Sequence, residues 1–517
     1  MKVLHIILNI LIHIFVLALI PISIYLTDVN EWLALGLTVL WIVAVRVGEI
    51  LIKKHQAMQA DEDLSKEQKK WKKYLSNVAF AILDVIIIFV MVLETQFNAY
   101  WNTYTKRVKE LNSNSGFSEI TGRQAVSDFD YAMNYLRKIH PMAYDGLPQE
   151  VEDRASEVRE ELKNVDSIEG YQLSLKLESI FAMLGDGHTH VDAMFSDKHY
   201  MKHLYEHIKN GDTLVGINGI TYAEYLKQHP ETVSFEMEEY GVLLVKGLSK
   251  HLEGLTYLGV DTSGEITYNY ISEDGKQLEE TVTSEDFLLN EDYLCYEEEI
   301  TGDDLHATSE EKDFVRYEID ENKSLATLTI DSSDYNSHYR EVVKAMFDEV
   351  DKKNIQNVAV DLRNNGGGSS LIADEFIHYL DVEEYKSWPS EIRYGCFMPH
   401  FDGSVTKNHK KGSGFTGNVY VYTSYASYSA AMDFAMLIQD NGLGKIIGEP
   451  CGNLPSSYGD VACFELPESG LYMQISRKCW HRVDESKEDL PIIPDYSCRS
   501  DECEQELENL LNNDIKE

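Results

Sequence analysis

The stretch V-A-V-D-L-R-N-N-G-G-G-S-S, residues 358–370, decides the fold. Its first half is a short apolar run of the kind that forms a buried strand, and three consecutive glycines end that run before a helical segment begins. Glycines at the carboxyl end of a parallel strand let backbone N–H groups face a ligand or a developing oxyanion. The stretch therefore predicts a strand, a glycine turn and a helix, with a chemical site at the turn.

Strand and helix patterns alternate around this stretch. Apolar segments of strand length cover residues 324–330, 417–423 and 445–448, and an amphipathic helix is predicted over 337–350. Such alternation predicts right-handed crossovers and a largely parallel sheet, with sites at the carboxyl ends of the strands. The fold class is therefore predicted to be α/β.

Three amphipathic helices are predicted ahead of this core, over residues 127–139, 150–162 and 168–184. The pattern between 205 and 310 is mixed. There, G-D-T-L-V-G-I-N-G (211–219) alternates like a strand that ends in an Asn-Gly turn. This segment looks like the carboxyl half of a PDZ motif, but no clear carboxylate-binding loop precedes it. We therefore favour a degenerate β insertion over a true PDZ domain.

The first hundred residues predict a membrane module. Three apolar runs, at 3–26, 32–52 and 75–93, are each about as long as the 20 residues that cross a hydrocarbon core. The loop between the second and third runs is rich in lysine, whereas the loop between the first and second has none. The positive-inside rule places the lysine-rich loop in the cytoplasm. A multi-pass cell-membrane location, with everything after the third run outside the cytoplasm, is therefore expected.

The charge balance excludes one class of partner. The chain has a formal net charge of −41, which repels nucleic acid.

Seven cysteines form no C-x-x-C pair, and their odd number leaves at least one thiol without a partner in the same chain. We therefore predict no structural zinc and no other metal.

These patterns divide the chain into six parts. They are a membrane module with three transmembrane helices (1–96), a tether (97–124), a helical part (125–191), an inserted β region with the PDZ-like segment (192–310), the α/β core (311–498) and an acidic tail expected to be peripheral (499–517). The helical part and the core together would carry the site, since the motifs described next fall in both.

Five short motifs point to one family. They are L-G-D-G-H-T (184–189), D-L-R-N-N-G-G-G (361–368), Y-S-A-A-M-D-F-A (428–435), I-I-G-E-P (446–450) and I-P-D (493–495). Together they resemble the tail-specific, or C-terminal-processing, serine peptidase superfamily. The resemblance implies a crotonase-like (ClpP-like) core with a helical subdomain and a small inserted β domain. It also implies peptide-bond hydrolysis through a serine, a polypeptide substrate and no cofactor.

Ser429 is the predicted nucleophile. It lies at a strand-to-helix junction, where its hydroxyl would be exposed and the amino end of the helix would stabilise nearby negative charge. A serine that only caps the helix would look similar. Ser424 and Ser427 are the alternative nucleophiles.

The resemblance also guides the search for the base. Many members of the superfamily use a lysine some 25 residues beyond the serine, but here no lysine occurs between Lys445 and Lys478. The tricorn-like Ser/His branch instead has a histidine far upstream, and His188 matches that position. In an extended segment, the side chains of His190 and His188 would point to the same face, so side-chain direction does not show which of the two is the base.

The remaining site residues also follow from the resemblance. The tricorn-like branch orients its histidine with a glutamate a few residues before a Pro-Asp pair, which points to Glu488. Three other acidic residues crowd the same region (Asp484, Glu485 and Asp489). Oxyanion donors are predicted to be the backbone N–H groups of Gly367 or Gly368 and of Ala430.

The sequence therefore predicts a membrane-anchored serine endopeptidase with a Ser-His-Glu mechanism, acting on extracytoplasmic polypeptides. The alternative is a catalytically inactive peptide-binding or signalling protein that retains the peptidase fold. The absent lysine dyad favours this alternative, as does Met432-Asp433 where many relatives have a glutamate shortly after the nucleophile.

Overall fold

The computed structural model describes residues 112–290, 292–293, 314–394 and 398–514, together with the single positions 43, 46, 47, 50 and 82. The chain divides into two units. Every element described below belongs to the unit that comprises residues 110–393 and 398–517. The predicted division of the chain into six parts stays a prediction.

The predicted membrane module requires a correction. Among the described residues, no helix is both long and apolar enough to cross a membrane. The three apolar runs at 3–26, 32–52 and 75–93 lie almost entirely outside the described residues. The structure therefore gives no support to three transmembrane helices. The multi-pass location and the extracytoplasmic catalytic domain, which were deduced from those helices, are withdrawn with them.

Three amphipathic helices open the described unit, close to where the sequence predicts them. They are α1 (Gly122–Ile139), α2 (Gln149–Lys163) and α3 (Gly170–Phe181). Three short strands accompany them: β1 (Glu119–Thr121), β2 (Ser167–Glu169) and β3 (His190–Asp192). The side chain of Thr121 accepts the N–H of Gln124 and so begins α1 with a capping box. Apolar faces that include Phe129, Val158 and Leu177 are buried between the helices.

The inserted region has a small core of its own. Its strands are β4 (His199–Met201), β5 (Thr213–Ile217), β6 (Ile220–Thr221), β7 (Ile266–Ile271), β8 (Gln277–Val282) and β9 (Phe287–Leu289). Its helices are α4 (Leu204–Lys209), α5 (Tyr222–Gln228), α6 (Glu238–Leu248) and α7 (Leu252–Tyr257). Four of the strands form an antiparallel sheet in the order β6-β5-β7-β8. Asn218 and Gly219 both have positive φ, which makes the tight turn that the sequence predicts.

The α/β core follows. Its strands are β10 (Val315–Asp320), β11 (Leu325–Ile330), β12 (Asn357–Asp361), β13 (Glu384–Lys386), β14 (Ser390–Ile392), β15 (His400–Phe401), β16 (Val405–Lys407), β17 (Asn418–Thr423), β18 (Lys445–Gly448), β19 (Tyr458–Glu465), β20 (Tyr472–Trp480) and β21 (Tyr496–Ser497). Its helices are α8 (Ser337–Lys353), α9 (Leu371–Ile377), α10 (Ala430–Asp440) and α11 (Cys503–Asp514).

A six-stranded sheet forms the centre of this core, in the order β10-β11-β12-β17-β18-β21. Strand β10 is antiparallel to β11 and all the other pairs are parallel, as the alternating pattern predicts. Helix α8 covers one face with Val343, Met346 and Phe347, because these apolar residues recur at helical spacing. The mixed α/β fold is therefore confirmed, and the carboxyl ends of β12 and β17 lie side by side.

A second sheet joins distant parts of the chain. Its strands follow the order β15-β14-β20-β19, and β3 pairs with β20. In this pairing His190 lies opposite Gln474 and Val191 lies opposite Met473. This pairing places the segment before β3, which contains His188, beside the α/β core.

The acidic tail is not peripheral, contrary to the expectation from its composition. Helix α11 buries Cys503 and Leu507 against Tyr420, Tyr422 and Ile447 on the face of the central sheet. The two apolar positions lie four residues apart, so they share one side of the helix, and the acidic residues of the tail occupy the other sides.

We expect Leu507→Ala to destabilise the protein by about 2–5 kcal/mol, because it removes a fully buried side chain between α11 and the sheet. Leu490→Ala is the matched control, since Leu490 is 46% exposed and its truncation leaves no cavity. Thermal unfolding of both variants measures the difference. Equal melting temperatures for the two variants would contradict the docking of α11.

Candidate active site

Ser429 lies between β17 and α10, directly before the first residue of the helix. Its backbone has φ 54° and ψ −119°, and this sign of φ is rare for a residue other than glycine. The N–H of Ser429 donates to Asn453 Oδ1 at 2.7 Å, which helps to hold this conformation. Strained backbone of this kind is concentrated at functional sites, so the geometry distinguishes Ser429 from an ordinary helix cap.

The glycine turn after β12 approaches Ser429 closely. A Cβ added to Gly367 would lie 2.7 Å from Ser429 Cβ and 2.9 Å from the carbonyl oxygen of Tyr428. Gly367 also has φ +107°, which side chains disfavour. Two constraints therefore require glycine at this position, namely the close approach of Tyr428 and Ser429 and the positive φ.

The three predicted oxyanion donors differ in what their N–H groups do. The N–H of Gly367 already donates to Asn365 Oδ1 at 2.9 Å. Gly368 and Ala430 both line the cavity that contains Ser429. Ala430 is the first residue of α10, so its N–H has no acceptor within the helix. The structure therefore brings Gly368 and Ala430 to the cavity and engages Gly367 elsewhere.

His188 lines the same cavity as Ser429. Its side chain is 13% exposed, and its Nε2 atom is buried with no hydrogen-bond partner among the described residues. Burial lowers the pKa of His188, the charge of His190 lowers it further, and Asp186 opposes both effects. The imidazole therefore tends to be neutral near pH 7, with an unpaired nitrogen.

Asp186 holds the turn that presents His188. Its buried carboxylate accepts the backbone N–H of His188 at 2.9 Å and the Thr189 hydroxyl at 2.6 Å, and it lies 3.1 Å from His140 Nε2. Burial alone would raise the pKa of Asp186, but the hydrogen bond and charge of His140 hold it well below its usual range. Asp186 is thus a buried anion 3.8 Å from His188 Nδ1.

Tyr428 and Glu236 complete the surroundings of His188 Nδ1. The Tyr428 hydroxyl lies 3.4 Å from that nitrogen and donates to Glu236 Oε2 at 3.0 Å. Glu236 Oε1 lies 3.9 Å from Nδ1. Burial and the charge of Asp186 raise the pKa of Glu236 to about 8, because two adjacent buried carboxylates do not ionise together readily.

His190 has different neighbours. Its Nε2 lies 3.2 Å from Asp192 Oδ2, and its Nδ1 lies 3.2 Å from the carbonyl oxygen of Gly187. Burial lowers the pKa of His190, but Asp192 and Glu178 outweigh that effect and raise it to about 9. Of the two histidines that the sequence left open, His188 thus has a lowered pKa and His190 a raised one.

Glu488 is not brought to His188. Its Oε1 lies 2.8 Å from His481 Nδ1, in a separate group of polar side chains. Among the described residues, the carboxylates within 4.0 Å of His188 are those of Asp186 and Glu236. The structure thus places two other carboxyl groups where the sequence predicts Glu488.

The cavity has a volume of about 290 Å³. Beyond the residues already described, its walls include Asp433, Tyr458, Lys478 and Trp480. Burial lowers the pKa of Lys478, and its Nζ lies 3.4 Å from the centre of the Trp480 ring. Asp433 is buried four residues after Ser429, and burial raises its pKa to about 7.

Comparisons with known proteins concern the family and the fold. Residues 324–497 match the model of peptidase family S41. Residues 324–497 are therefore similar to the S41 peptidases. The predicted resemblance to the tail-specific serine peptidase superfamily is thereby confirmed, and the same match supports the coarse assignment to the serine peptidases. The branch within the superfamily and endopeptidase specificity stay predictions.

Solved structures related to these S41 peptidases share the fold. A point mutant of CPAF has a TM-score of 0.53 at 11% identity, with 76% of this chain and 96% of that chain covered. Mature CPAF in complex with lactacystin has a TM-score of 0.50 at 11% identity, with 76% and 97% covered. At such low identity the likeness establishes the fold alone. A comparison of the sequence with curated proteins gave no match.

The sequence predicts only that Asp186 caps the turn that presents His188, and it does not indicate Tyr428 or Glu236 as neighbours of that histidine. Asp186 and Tyr428 lie inside quoted motifs, so their motif positions were a usable signal. Glu236 lies between α5 and α6 of the insertion, in a segment without any motif. Ser234 Oγ donates to Glu178 Oε1 at 2.6 Å, and this contact fixes the segment beside α3.

We expect the buried carboxyl of Glu236 to make stability depend on pH. Its pKa is about 8 in the folded protein and near 4.5 in the unfolded chain. A carboxyl group whose pKa is raised on folding makes its full contribution to the unfolding free energy below pH 4.5. This contribution is lost as the pH rises towards 8, by up to about 1.4 kcal/mol per pH unit. Glu236→Gln should therefore flatten the fall of the unfolding free energy between pH 5 and 8, measured by urea denaturation.

Glu265→Gln, at an exposed position of the same insertion, should leave the slope unchanged. If Glu236→Gln and the parent protein lose stability in parallel across this range, then Glu236 is ionised throughout it and its assigned pKa is wrong. Glu178 and Asp433 also titrate in this range, with pKa values of about 7, and they contribute equally to both proteins.

Proposed function

We propose that this protein hydrolyses peptide bonds of polypeptide substrates, with Ser429 as the nucleophile and His188 as the general base. One observation carries the proposal. Ser429 and His188 line a single cavity, and the Nε2 atom of His188 is buried with no hydrogen-bond partner among the described residues. A hydroxyl becomes a useful nucleophile when a neutral imidazole beside it can accept its proton.

The surroundings of the imidazole support this direction of proton transfer. With the proton on Nδ1, His188 can donate towards the Tyr428 oxygen at 3.4 Å, and the Tyr428 hydroxyl donates in turn to Glu236. The lone pair of Nε2 is then available to Ser429. This relay selects the productive tautomer, a task that a carboxylate performs directly in a Ser-His-Asp triad.

Asp186 and Glu236 take the role that the sequence assigned to Glu488. When His188 accepts the proton from Ser429, the imidazolium lies 3.8 Å from the Asp186 carboxylate, which stabilises the new positive charge. Glu236 keeps its own proton near neutral pH and orients Tyr428. We therefore propose a mechanism in which one carboxylate supplies charge and a second carboxyl group supplies orientation.

The reaction then proceeds through an acyl-enzyme. Ser429 Oγ attacks the carbonyl carbon, and the N–H groups of Gly368 and Ala430 stabilise the oxyanion at the amino end of α10. The imidazolium of His188 gives its proton to the leaving amine as the C–N bond breaks. Water then attacks the ester with His188 again as base, which restores the Ser429 hydroxyl and releases the acid.

The first test uses a fluorophosphonate probe, which reacts with activated serines. We expect the parent protein to be labelled, Ser429→Ala to lose labelling entirely, and His188→Ala to react about 10² to 10⁴ times more slowly. Ser424→Ala is the matched control and should react normally. Cleavage of a peptide blocked at both termini would support the predicted endopeptidase specificity.

Two outcomes would contradict the proposal. A folded parent protein that is never labelled would favour the inactive peptide-binding alternative. Labelling that survives His188→Ala but is lost in Lys478→Met would identify the cavity lysine as the base, since burial lowers its pKa and it lines the same cavity.

A second test addresses the relay. Tyr428→Phe removes the acceptor of the His188 Nδ1 proton, so we expect kcat/KM for peptide hydrolysis to fall about tenfold, the value of one hydrogen bond. The acid limb of the parent profile should have its midpoint below pH 6.5, because burial lowers the pKa of His188 and the protonated imidazole is not a base.

Tyr240→Phe is the control for this variant. The Tyr240 ring stacks on Tyr428 with centroids 4.3 Å apart, so the substitution tests the loss of a phenol hydroxyl without loss of the stacked ring. Its rate and its acid limb should match the parent protein. An unchanged rate and acid limb in Tyr428→Phe would show that the relay has no part in orienting His188.

A further inference from the structure

A second group of reactive side chains lies outside the proposed active site, and we infer that Glu391, Cys479 and His481 form a binding site for a divalent transition-metal ion such as Zn²⁺. Their donor atoms all lie within 4.8 Å of one another. Thiolate, imidazole and carboxylate are the three ligand types that Zn²⁺ takes in proteins. The site is independent of the proposed peptidase mechanism.

The strand register accounts for this juxtaposition. Glu391 of β14 lies directly opposite Cys479 of β20. His481 follows two residues after Cys479, and the N–H of His481 donates to the carbonyl oxygen of Pro389 at 3.1 Å, so the two strands stay paired beyond Trp480. Residues two apart on extended backbone share a face. The backbone therefore brings the three donors together without help from a loop.

The distances fit a metal ion of zinc's size. His481 Nε2 lies 4.0 Å from Cys479 Sγ and 3.0 Å from Glu391 Oε2. Tetrahedral zinc with bonds of about 2.0–2.3 Å holds its ligands roughly 3.5 Å apart. The two observed separations lie on either side of that value, so small side-chain movements would complete the coordination.

Glu488 now has a physical role. Its Oε1 lies 2.8 Å from His481 Nδ1, on the opposite side of the ring from the donor nitrogen. Histidine ligands of metals commonly donate their second N–H to a carboxylate, which fixes the tautomer and makes the other nitrogen a better ligand. The imidazole is thus already oriented with Nε2 towards Cys479 and Glu391.

The site is open enough for exchange with solvent. The side chains of His481 and Glu391 are 31% and 26% exposed. His400 Nδ1 lies 3.0 Å from Glu391 Oε1 and helps to hold that carboxylate in place. Three protein donors with a fourth position open to solvent are the arrangement of zinc sites that keep a bound water.

The sequence predicts no zinc because no C-x-x-C pair occurs, and this site has a different pattern. It combines a Cys-x-His pair at the end of β20 with Glu391, which lies 90 residues before His481. Such a set is not visible until the strands pair. Lys478 and Trp480 flank Cys479 and line the cavity that contains Ser429. An ion bound at Cys479 would therefore reduce the motion of this part of the cavity wall.

The experiment uses the full-length protein after removal of metals with a chelator. Zn²⁺ binding is measured by isothermal titration calorimetry, and Co²⁺ replaces Zn²⁺ to report a thiolate ligand through its charge-transfer absorption. We expect one such Co²⁺ ion per chain. Cys479→Ser should abolish the absorption band, and Glu488→Gln should weaken Zn²⁺ binding about tenfold, as is usual for a carboxylate behind a histidine ligand.

Cys463→Ser is the matched control, because Cys463 is a half-buried free thiol on β19, the neighbouring strand. It should keep both the band and the affinity. The Asp186–His188–Glu236 group contains no thiol, so Co²⁺ bound there gives no such band. Absence of the band in the parent protein, or its survival in Cys479→Ser, would reduce this group to an ion pair around His481 and overturn the proposal.

Discussion

The pairing of β3 with β20 is the constraint on which the rest of the site depends. Tyr428 and His188 are 240 residues apart in sequence, and no local structure could bring them together. The backbone N–H of Ser476 on β20 donates to Thr189 Oγ1 at 2.9 Å, and the Thr189 hydroxyl donates to Asp186. This chain of hydrogen bonds links the sheet to the carboxylate that holds the His188 turn. A shift of one residue in the register would reverse the faces of β3 and break the link.

The two buried carboxyl groups beside His188, those of Asp186 and Glu236, differ in their protonation. Asp186 stays ionised because it accepts several hydrogen bonds and faces His140, whereas at Glu236 burial and the charge of Asp186 outweigh the hydrogen bond from Tyr428 and raise the pKa. The two lie on the same side of the imidazole, so their different protonation states are mutually dependent. Glu178 links the same region to the insertion, since it accepts from Val191 N–H at 3.0 Å and from Ser234. The insertion is therefore a structural part of the site.

Much of the fold could be predicted from local patterns. The strand over 445–448, the glycine strand and the helix that begins after Ser429 follow from apolar runs and from glycine, and these signals are local. The docking of α11 was missed because its apolar stripe of Cys503, Leu507, Leu510 and Leu511 is short and lies among many acidic residues. The three apolar runs of the first hundred residues led to a membrane assignment that the described structure does not support.

The candidate site shows a similar limit. Ser429, His188, Gly368 and Ala430 could be found because each lies in a short motif. Glu488 was chosen by counting along the chain, and counting cannot show which histidine a carboxylate will meet. Three histidines (His188, His190 and His481) lie in or within a few residues of β3 or β20, and Glu488 contacts His481 rather than His188. Glu236 carries no motif, so contact with the imidazole could only come from tertiary structure.

The position of α11 has a consequence for biosynthesis. The face of the sheet that contains Tyr420, Tyr422 and Ile447 is covered by residues near the carboxyl end of the described chain. While a ribosome is still making that segment, the emerging nascent chain must carry this aromatic surface uncovered. Exposed apolar surface of this kind invites aggregation and chaperone binding. Arg363, beside the glycine turn, contacts Glu504 only once this helix has been made.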